Sequence, residues 1–244
     1  MSAFWPLALP QDRPQCKICS AIALPFGQCD INQGGPPGAI LRPALGQAIH
    51  YHCCSACGFI FTAQLDHWQS SDYTQHIYNS SYVDVDPDYV DLRPRSQAHM
   101  LKAMLRDAPA GYRILDYGAG SGKLAAMLRE QGWFADSADP YSGVGQADGS
   151  AYDLVCAFEV IEHSADPLLT LADMRAKLKP HGSMLISTLL VPPDITTLGC
   201  QWWYCAPRNG HISLFTPHAL NLALQHIGAK RTHSISDGLH VAYF

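Results

Sequence analysis

The residues of this 244-residue chain that could do chemistry fall into three groups: an acid with alternating glycines, an acid-histidine cluster, and paired cysteines. The first is Ile114-Leu115-Asp116-Tyr117-Gly118-Ala119-Gly120-Ser121-Gly122, a G-x-G-x-G turn behind a carboxylate. Glycines at such a turn let a bulky nucleoside approach the backbone and permit dihedrals that a Cβ penalises. A dinucleotide fingerprint, G-x-G-x-x-G, would need a small residue where Lys123 stands. A further acid, Asp139, closes Trp133-Phe134-Ala135-Asp136-Ser137-Ala138-Asp139-Pro140. It lies about 20 residues beyond the glycines, where a carboxylate would accept ribose hydroxyls, with Asp136 as the alternative.

The second group is Glu159-Val160-Ile161-Glu162-His163, joined by a distant His211 in Asn209-Gly210-His211-Ile212-Ser213-Leu214-Phe215-Thr216. Histidine suits proton removal near neutral pH, so of the base candidates Glu159, Glu162, His163 and His211, His211 is expected as general base or as an orienting hydrogen-bond partner, with His163 the competing base. The third group is Cys16-Lys17-Ile18-Cys19 and Cys54-Ser55-Ala56-Cys57, two C-x-x-C knuckles. Each places two thiolates on one side of a tight turn, as tetrahedral Zn²⁺ requires. Cys29, His50, His52 and Cys53 lie near enough in sequence to be substitute ligands. A four-cysteine site has no open position, so its zinc is expected to be structural. Gly34-Gly35-Pro36-Pro37-Gly38, between the knuckles, reads as a surface excursion.

These groups need elements to position them. Tyr112 to Leu115 is a β-prone run, and Lys123 to Gln131 carries Leu124, Met127 and Leu128 at helical spacing. Tyr152 to Phe158 reads as a buried strand ending at the acid-histidine cluster, which puts that cluster at the carboxyl edge where open α/β sheets bind ligands. Asp166-Pro167 opens a helix with Leu168, Leu171, Met174 and Leu178, stopped by Lys-Pro-His-Gly. Gly182 to Leu190 supplies another strand. Thr216-Pro217 starts a helix ending near Gly228, and 231–236 and 240–244 are short strand-like runs. The spacing also predicts a helix over Ser96 to Ala108. Val191 to Asn209, with Pro192-Pro193, Trp202-Trp203-Tyr204 and Pro207-Arg208, is too proline-rich for a strand or long helix and is expected to form a loop over the active site. Of the aromatics before the helix, Tyr78 and Tyr82 are expected in a lid, and Trp68 and Tyr89 in an interdomain seam.

The ordered motifs from about residue 95 onward resemble class I S-adenosylmethionine-dependent methyltransferases. The resemblance implies an α/β, Rossmann-like sheet, with Asp116, Gly118, Ala119, Gly120 and Gly122 along the methionine and ribose side of the cofactor, Asp139 on the ribose, and Phe158 and Glu159 at the fourth-strand end. Together with Cys-Gly-Phe-Ile-Phe-Thr, the cysteine knuckles resemble bacterial members carrying a small N-terminal zinc-ribbon-like module. The expected organisation is a zinc-binding module over 1–66, an aromatic linker or lid and helix over 67–110, and the cofactor domain over 111–244. The Glu-x-x-Glu-His set with a distant His is similar to the divalent-metal set of small-RNA 3′-end 2′-O-methyltransferases, and a similar stretch occurs in ubiquinone-pathway O-methyltransferases. Two carboxylates and two imidazoles could hold Mg²⁺ or Mn²⁺ against vicinal hydroxyls.

One departure stands out. Only residues 140–151 separate Asp139 from Tyr152, close to the minimum for a crossover, so the region from the second to the fourth strand is abbreviated; Asp148 is its one candidate for the adenine amino group. The net charge of −5 and the lack of a long basic run argue against a nucleic-acid partner. Met1 to Pro10 has no basic n-region and is broken by proline, and no stretch is long enough to span a membrane. The expectation is a cytoplasmic enzyme with S-adenosylmethionine and structural zinc, methylating a small molecule, with oxygen favoured over carbon or nitrogen. A metal-assisted RNA ribose methyltransferase and a non-catalytic interaction protein are the alternatives.

Overall fold

The computed structural model describes residues 4–35, 42–139, 141, 143, 145, 149 and 151–244. Its strands and helices are β1 (Ala23–Asp30), β2 (Ala48–Cys54), β3 (Ile60–Phe61), α1 (Ser70–His76), α2 (Leu92–Met104), β4 (Arg113–Tyr117), α3 (Lys123–Glu130), β5 (Phe134–Ala138), β6 (Tyr152–Phe158), α4 (Pro167–Lys177), β7 (Leu178–Ser187), α5 (Ile195–Leu198), β8 (Ser213–Leu214), α6 (Pro217–His226), β9 (Arg231–Ser236) and β10 (Leu239–Tyr243). Six strands form the large sheet in the order β5-β4-β6-β7-β10-β9. The first four are parallel, and β10 runs antiparallel between β7 and β9, so the sheet is Rossmann-like with a closing hairpin. Among the described residues there is no strand between β5 and β6, as the short connection implies. Asp148 lies outside the described residues.

The central strands carry apolar runs on both faces, Ile114–Leu115, Leu154–Ala157 and Met184–Ile186, because helices cover both faces. Their alternate residues divide cleanly: Ile114, Leu154, Cys156 and Leu185 pack with Leu101 of α2 and with Leu124 and Leu128 of α3. Leu115, Val155, Ala157, Met184 and Ile186 pack with Leu171 and Met174 of α4 and with Leu220 and Leu224 of α6. This is the period-2 alternation of a strand buried between two layers. The helix starts carry their own signals. Asp166 accepts from Leu169 N at 3.0 Å and Thr216 from Ala219 N at 3.0 Å, each followed by a proline at the first helical position.

Two boundaries differ from the sequence reading. α2 begins at Leu92 rather than Ser96, because Pro94 sits in the first turn, where its missing N–H is no loss; it ends at Met104, ahead of Pro109. β7 begins at Leu178, and its register with β6 slips between Tyr152 and Leu154, where His181 takes a positive φ of 62°.

A second sheet runs β1-β2-β3-β8, so strand residues Ser213–Leu214 from the C-terminal part complete the sheet begun by the N-terminal residues. The two sheets share a continuous core: Cys16, Cys54, Cys57, Phe59 and Phe61 belong to the same apolar cluster as Leu171, Met174, Phe215 and Leu220. The expected surface excursion is anchored where it is described. Gln33 Nε2 donates to the carbonyls of Cys200 and Cys205 at 2.7 and 2.8 Å, Gly35 N donates to Asn209 Oδ1 at 2.9 Å, and a Cβ on Gly34 would lie 2.3 Å from that same oxygen. It therefore clamps the loop leading to His211.

Candidate active site and four-cysteine cluster

A cleft of about 1370 Å³ opens at the carboxyl edge of β4, β5 and β6. Its floor is the glycine turn. Gly118, Gly120 and Gly122 have φ of 73°, 52° and 73°, the left-handed region that glycine tolerates. At Gly118 space is also critical, since a Cβ would come within 2.5 Å of Val160 Cγ2. Gly118 N and Ala119 N both donate to Ala138 O, at 2.8 and 3.2 Å, which ties the turn to the end of β5. Asp139 stands above it, accepting from Gly120 N at 2.9 Å through one oxygen and from Tyr141 N at 2.9 Å through the other.

Asp116 is buried behind the turn. Burial, and then the Asp139 charge, push its carboxyl up to about 7 from 3.8. The folded state therefore favours the protonated form: the associated stability is present below about pH 4 and is lost as pH rises through about 7. Ligand-free protein should lose stability between pH 5 and pH 8, by at most about 3 kcal/mol at 1.36 kcal/mol per unit over the two units below 7. Asp116→Asn should flatten that loss in denaturant titrations at the two pH values; a variant with the same pH slope as the parent would contradict this.

The far wall carries the acid-histidine cluster. Phe158 ends β6 and Glu159 follows with φ 55°, an uncommon conformation for a side chain with a Cβ and one that concentrates at functional sites. Ser187 holds it: Glu159 N donates to Ser187 O at 3.1 Å, and Ser187 Oγ donates to Glu159 Oε1 at 2.8 Å. Glu162 and His163 sit on the short 3-10 turn Ile161–His163. Tyr204, from the proline-rich loop, lies between the two carboxylates, 2.5 Å from Glu162 Oε1 and 3.1 Å from Glu159 Oε2. Burial, and then the Glu159 charge, raise the Glu162 carboxyl far above its usual range.

His211 enters the same chamber, its ring 4.9 Å from that of His163 and 4.1 Å from that of Tyr204. Its Nδ1 is 3.0 Å from the Tyr204 carbonyl, which can only accept, so Nδ1 carries the proton and Nε2 is left with a lone pair. Burial lowers the pKa of both imidazoles, keeping them neutral at pH 7. Gly210, at φ 94°, makes room: a Cβ there would lie 2.7 Å from His163 Nδ1 and 3.0 Å from the Tyr78 hydroxyl. Aromatic rings line much of the remaining wall, with Tyr78, Tyr82, Tyr89, Tyr141 and Trp203. Tyr89 is a correction to the sequence reading: it is 38% exposed over the glycine turn, edge-on to Tyr82, rather than sealed in a seam. Trp68 is buried against Trp5 and Tyr73, and its Nε1 donates to Pro6 O. The tryptophan pair divides, Trp202 in the core and Trp203 in the cleft wall.

Sequence reasoning passed over Tyr204, Gly210, Ser187 and Arg93. Arg93 is the one lysine or arginine lining the cleft among the described residues, against seven carboxylates, and it pairs with Asp86 through two bonds of 2.8 and 3.0 Å. Its position in the first turn of α2 was hidden by placing that helix too late.

Away from the cleft, the sulfurs of Cys16, Cys19, Cys54 and Cys57 lie within 4.8 Å of one another. Contacts of 3.6, 3.4 and 3.6 Å join Cys16 to Cys57, Cys19 to Cys54 and Cys19 to Cys57. Tetrahedral zinc with bonds of about 2.3 Å spaces its sulfurs by roughly 3.8 Å, whereas a disulfide would bring them to about 2 Å. Backbone N–H groups of Ile18, Ala56 and Cys57 point at Cys16 and Cys54 sulfurs at 3.4 Å, as suits thiolates. Cys53 stays outside the cluster, its sulfur directed to backbone carbonyls.

A family model for a methyltransferase domain matches residues 89–234. The ubiquinone biosynthesis O-methyltransferase of Cereibacter sphaeroides (strain KD131) is 32% identical over 140 residues, 45% of this chain and 57% of that protein. Its counterpart in Dinoroseobacter shibae is 30% identical over 150 residues, 49% of this chain and 60% of that protein. The chain thus spans less than two thirds of the length of these curated relatives. Among solved structures, the magnesium protoporphyrin IX methyltransferase of Synechocystis with bound S-adenosylhomocysteine superposes with a TM-score of 0.47 at 15% identity, covering 73% of this chain and 96% of that one.

Proposed function

The chain belongs to the methyltransferase-domain family, and from that premise we propose that it transfers a methyl group from S-adenosylmethionine to a hydroxyl of a small, uncharged aromatic acceptor. The observation that carries this is His211, a buried neutral imidazole whose Nδ1 is tied to a carbonyl and whose Nε2 is free to take a proton. The chain's residues fit the cofactor. The glycine cradle and Asp116 would hold its amino-acid side, Asp139 its ribose hydroxyls, and Arg93, the one lysine or arginine in the wall among the described residues, its carboxylate. When bound, S-adenosylmethionine supplies an electrophilic methyl carbon and a good leaving group. What remains for the protein is orientation and removal of a proton from a hydroxyl with a pKa near 10, if phenolic. The tyrosine and tryptophan wall suits an aromatic ring, and the excess of carboxylates in the cleft repels phosphates. That charge balance is also why RNA is the weaker reading. Labelled methyl from S-adenosylmethionine should appear in 4-methylcatechol and not in RNA; label entering RNA, or no label above the enzyme-free control, would count against the proposal.

A specific observation favours a second reading of the same chamber. Glu162, His163 and His211 each bring one ligand atom within 4.8 Å of the others, and Glu162 Oε2 and His163 Nδ1 have no hydrogen-bond partner among the described residues. A divalent cation such as Mn²⁺ would satisfy both and orient vicinal hydroxyls. Saturable Mn²⁺ binding by electron paramagnetic resonance, lost in Glu162→Gln, would establish it; turnover unchanged by a chelator would leave His211 acting as a base alone.

The four-cysteine cluster, read as structural zinc, should give about one zinc per chain by metal analysis. Its removal should increase hydrogen exchange in β1–β3 before β4–β7. Absence of zinc, or disulfides among the four cysteines, would refute this assignment.

A further inference from the structure

The Cys54–Cys57 knuckle is more than a clasp on an appendage, because it forms the turn joining β2 to β3. Gly58 N donates to Cys54 O at 3.0 Å and Cys54 N to Phe59 O at 2.8 Å, and the strands then pair His52 with Phe61 and Cys53 with Ile60. Both strands reach the segment that carries His211. From β2, the fully buried Tyr51 donates its hydroxyl to the His211 carbonyl at 2.6 Å. From β3, Ile60 and Phe61 pair with Leu214 and Ser213, and Thr62 N donates to Ile212 O at 3.1 Å. A third tie starts at the knuckle itself, where Thr216 Oγ1 donates to Cys57 O at 2.7 Å.

β8 has only two residues, far too few to hold a position unaided, and its sheet partner is β3. The His211 ring is aimed by three backbone anchors: its N–H on Ala206 O, its Nδ1–H on Tyr204 O, and its carbonyl under the Tyr51 hydroxyl. The cofactor side has separate supports, namely β4, β5 and their connections. We infer that the four-cysteine hairpin is a working part of the acceptor side of the active site: Tyr51 and β3 set the position of His211, so metal loading of the module governs methyl transfer without governing cofactor affinity. Tyr51 is then a positioning residue. The inference rests on the readings of His211 and zinc proposed above.

Two full-length variants test it: Tyr51→Phe, which removes one oxygen, and Cys16→Ser/Cys19→Ser, which removes two sulfurs while leaving the β2–β3 hairpin sequence intact. The readouts are the ¹⁵N and ¹³C resonances of the His211 imidazole, assigned by their loss in His211→Ala, S-adenosylhomocysteine affinity by calorimetry, and turnover of 4-methylcatechol. For Tyr51→Phe the expectation is full zinc content, affinity within about twofold, shifted or broadened His211 resonances, and kcat lower by about tenfold with KM little changed, since a buried carbonyl loses its donor. The double variant should move the same resonances further. His211 resonances and turnover that stay at parental values in Tyr51→Phe would overturn the inference, and that variant decides alone if the double variant fails to fold. Should His211→Ala prove fully active, the base assignment fails, but the resonances still decide the positioning. Should the parent hold no zinc, the metal coupling falls while Tyr51→Phe still decides the hydrogen-bond tie.

Discussion

His211→Ala should lower turnover by a factor on the order of 10² or more while leaving S-adenosylhomocysteine affinity within a few-fold. The asymmetry follows from where the side chain sits. Its Nδ1 is fixed on the Tyr204 carbonyl and its ring faces those of His163 and Tyr204, while the glycine turn that would hold the cofactor is tied to Ala138 and Asp139 instead. Losing the ring removes the proton acceptor, or one ligand if the chamber holds a cation, and either loss acts on the transferring step. His163 is the control, since its imidazole shares the chamber and is also kept neutral by burial. If His163→Ala costs far more than His211→Ala, the two roles exchange. A His211→Ala enzyme with normal kcat would return this residue to core packing.

The second large effect concerns the cofactor cradle. Gly120→Val combined with Asp139→Ala should weaken S-adenosylmethionine binding by 10² or more. At Gly120 a Cβ meets nothing closer than the Tyr89 ring at 3.4 Å, but its φ of 52° disfavours a β-branched residue by roughly 1–2 kcal/mol, and the side chain would fill the approach to the turn. Asp139→Ala removes both the ribose partner and the acceptor that fixes Gly120 N and Tyr141 N. Gly118→Val is the less informative choice. With φ 73° and Val160 2.5 Å from the new Cβ, it should damage folding along with binding. Calorimetry in which NADH binds more tightly than S-adenosylmethionine, or in which the double variant keeps parental affinity, would contradict the cradle assignment.

Much of this was legible because the signals are local. The strand, glycine turn and helix around Asp116 span under 20 residues, and the caps at Asp166 and Thr216 are each read within four. The apolar runs of β4, β6 and β7 were visible because both faces of the sheet are covered. The histidines could be picked out by type, yet nothing local says that His211 meets His163 across 48 positions of chain or that Tyr204 lies between Glu159 and Glu162. β8 escaped notice for the same reason: two residues carry no periodicity, and their partner lies more than 150 positions earlier. Tyr89 was misplaced since an aromatic in a polar stretch reads alike in a seam and at a cleft mouth. Arg93 was missed because the helix start was placed four residues late, past the proline that in fact begins it well.

The most direct test of the central claim is a crystal structure of the protein with S-adenosylhomocysteine and 4-methylcatechol bound. The nucleoside is expected on the Gly118–Gly122 turn with its ribose on Asp139, and one acceptor hydroxyl within hydrogen-bond reach of His211 Nε2 on the side of the sulfur. A catechol bound away from the chamber, or a His211 ring turned from the cofactor sulfur with no acceptor oxygen near it, would refute the role assigned to His211.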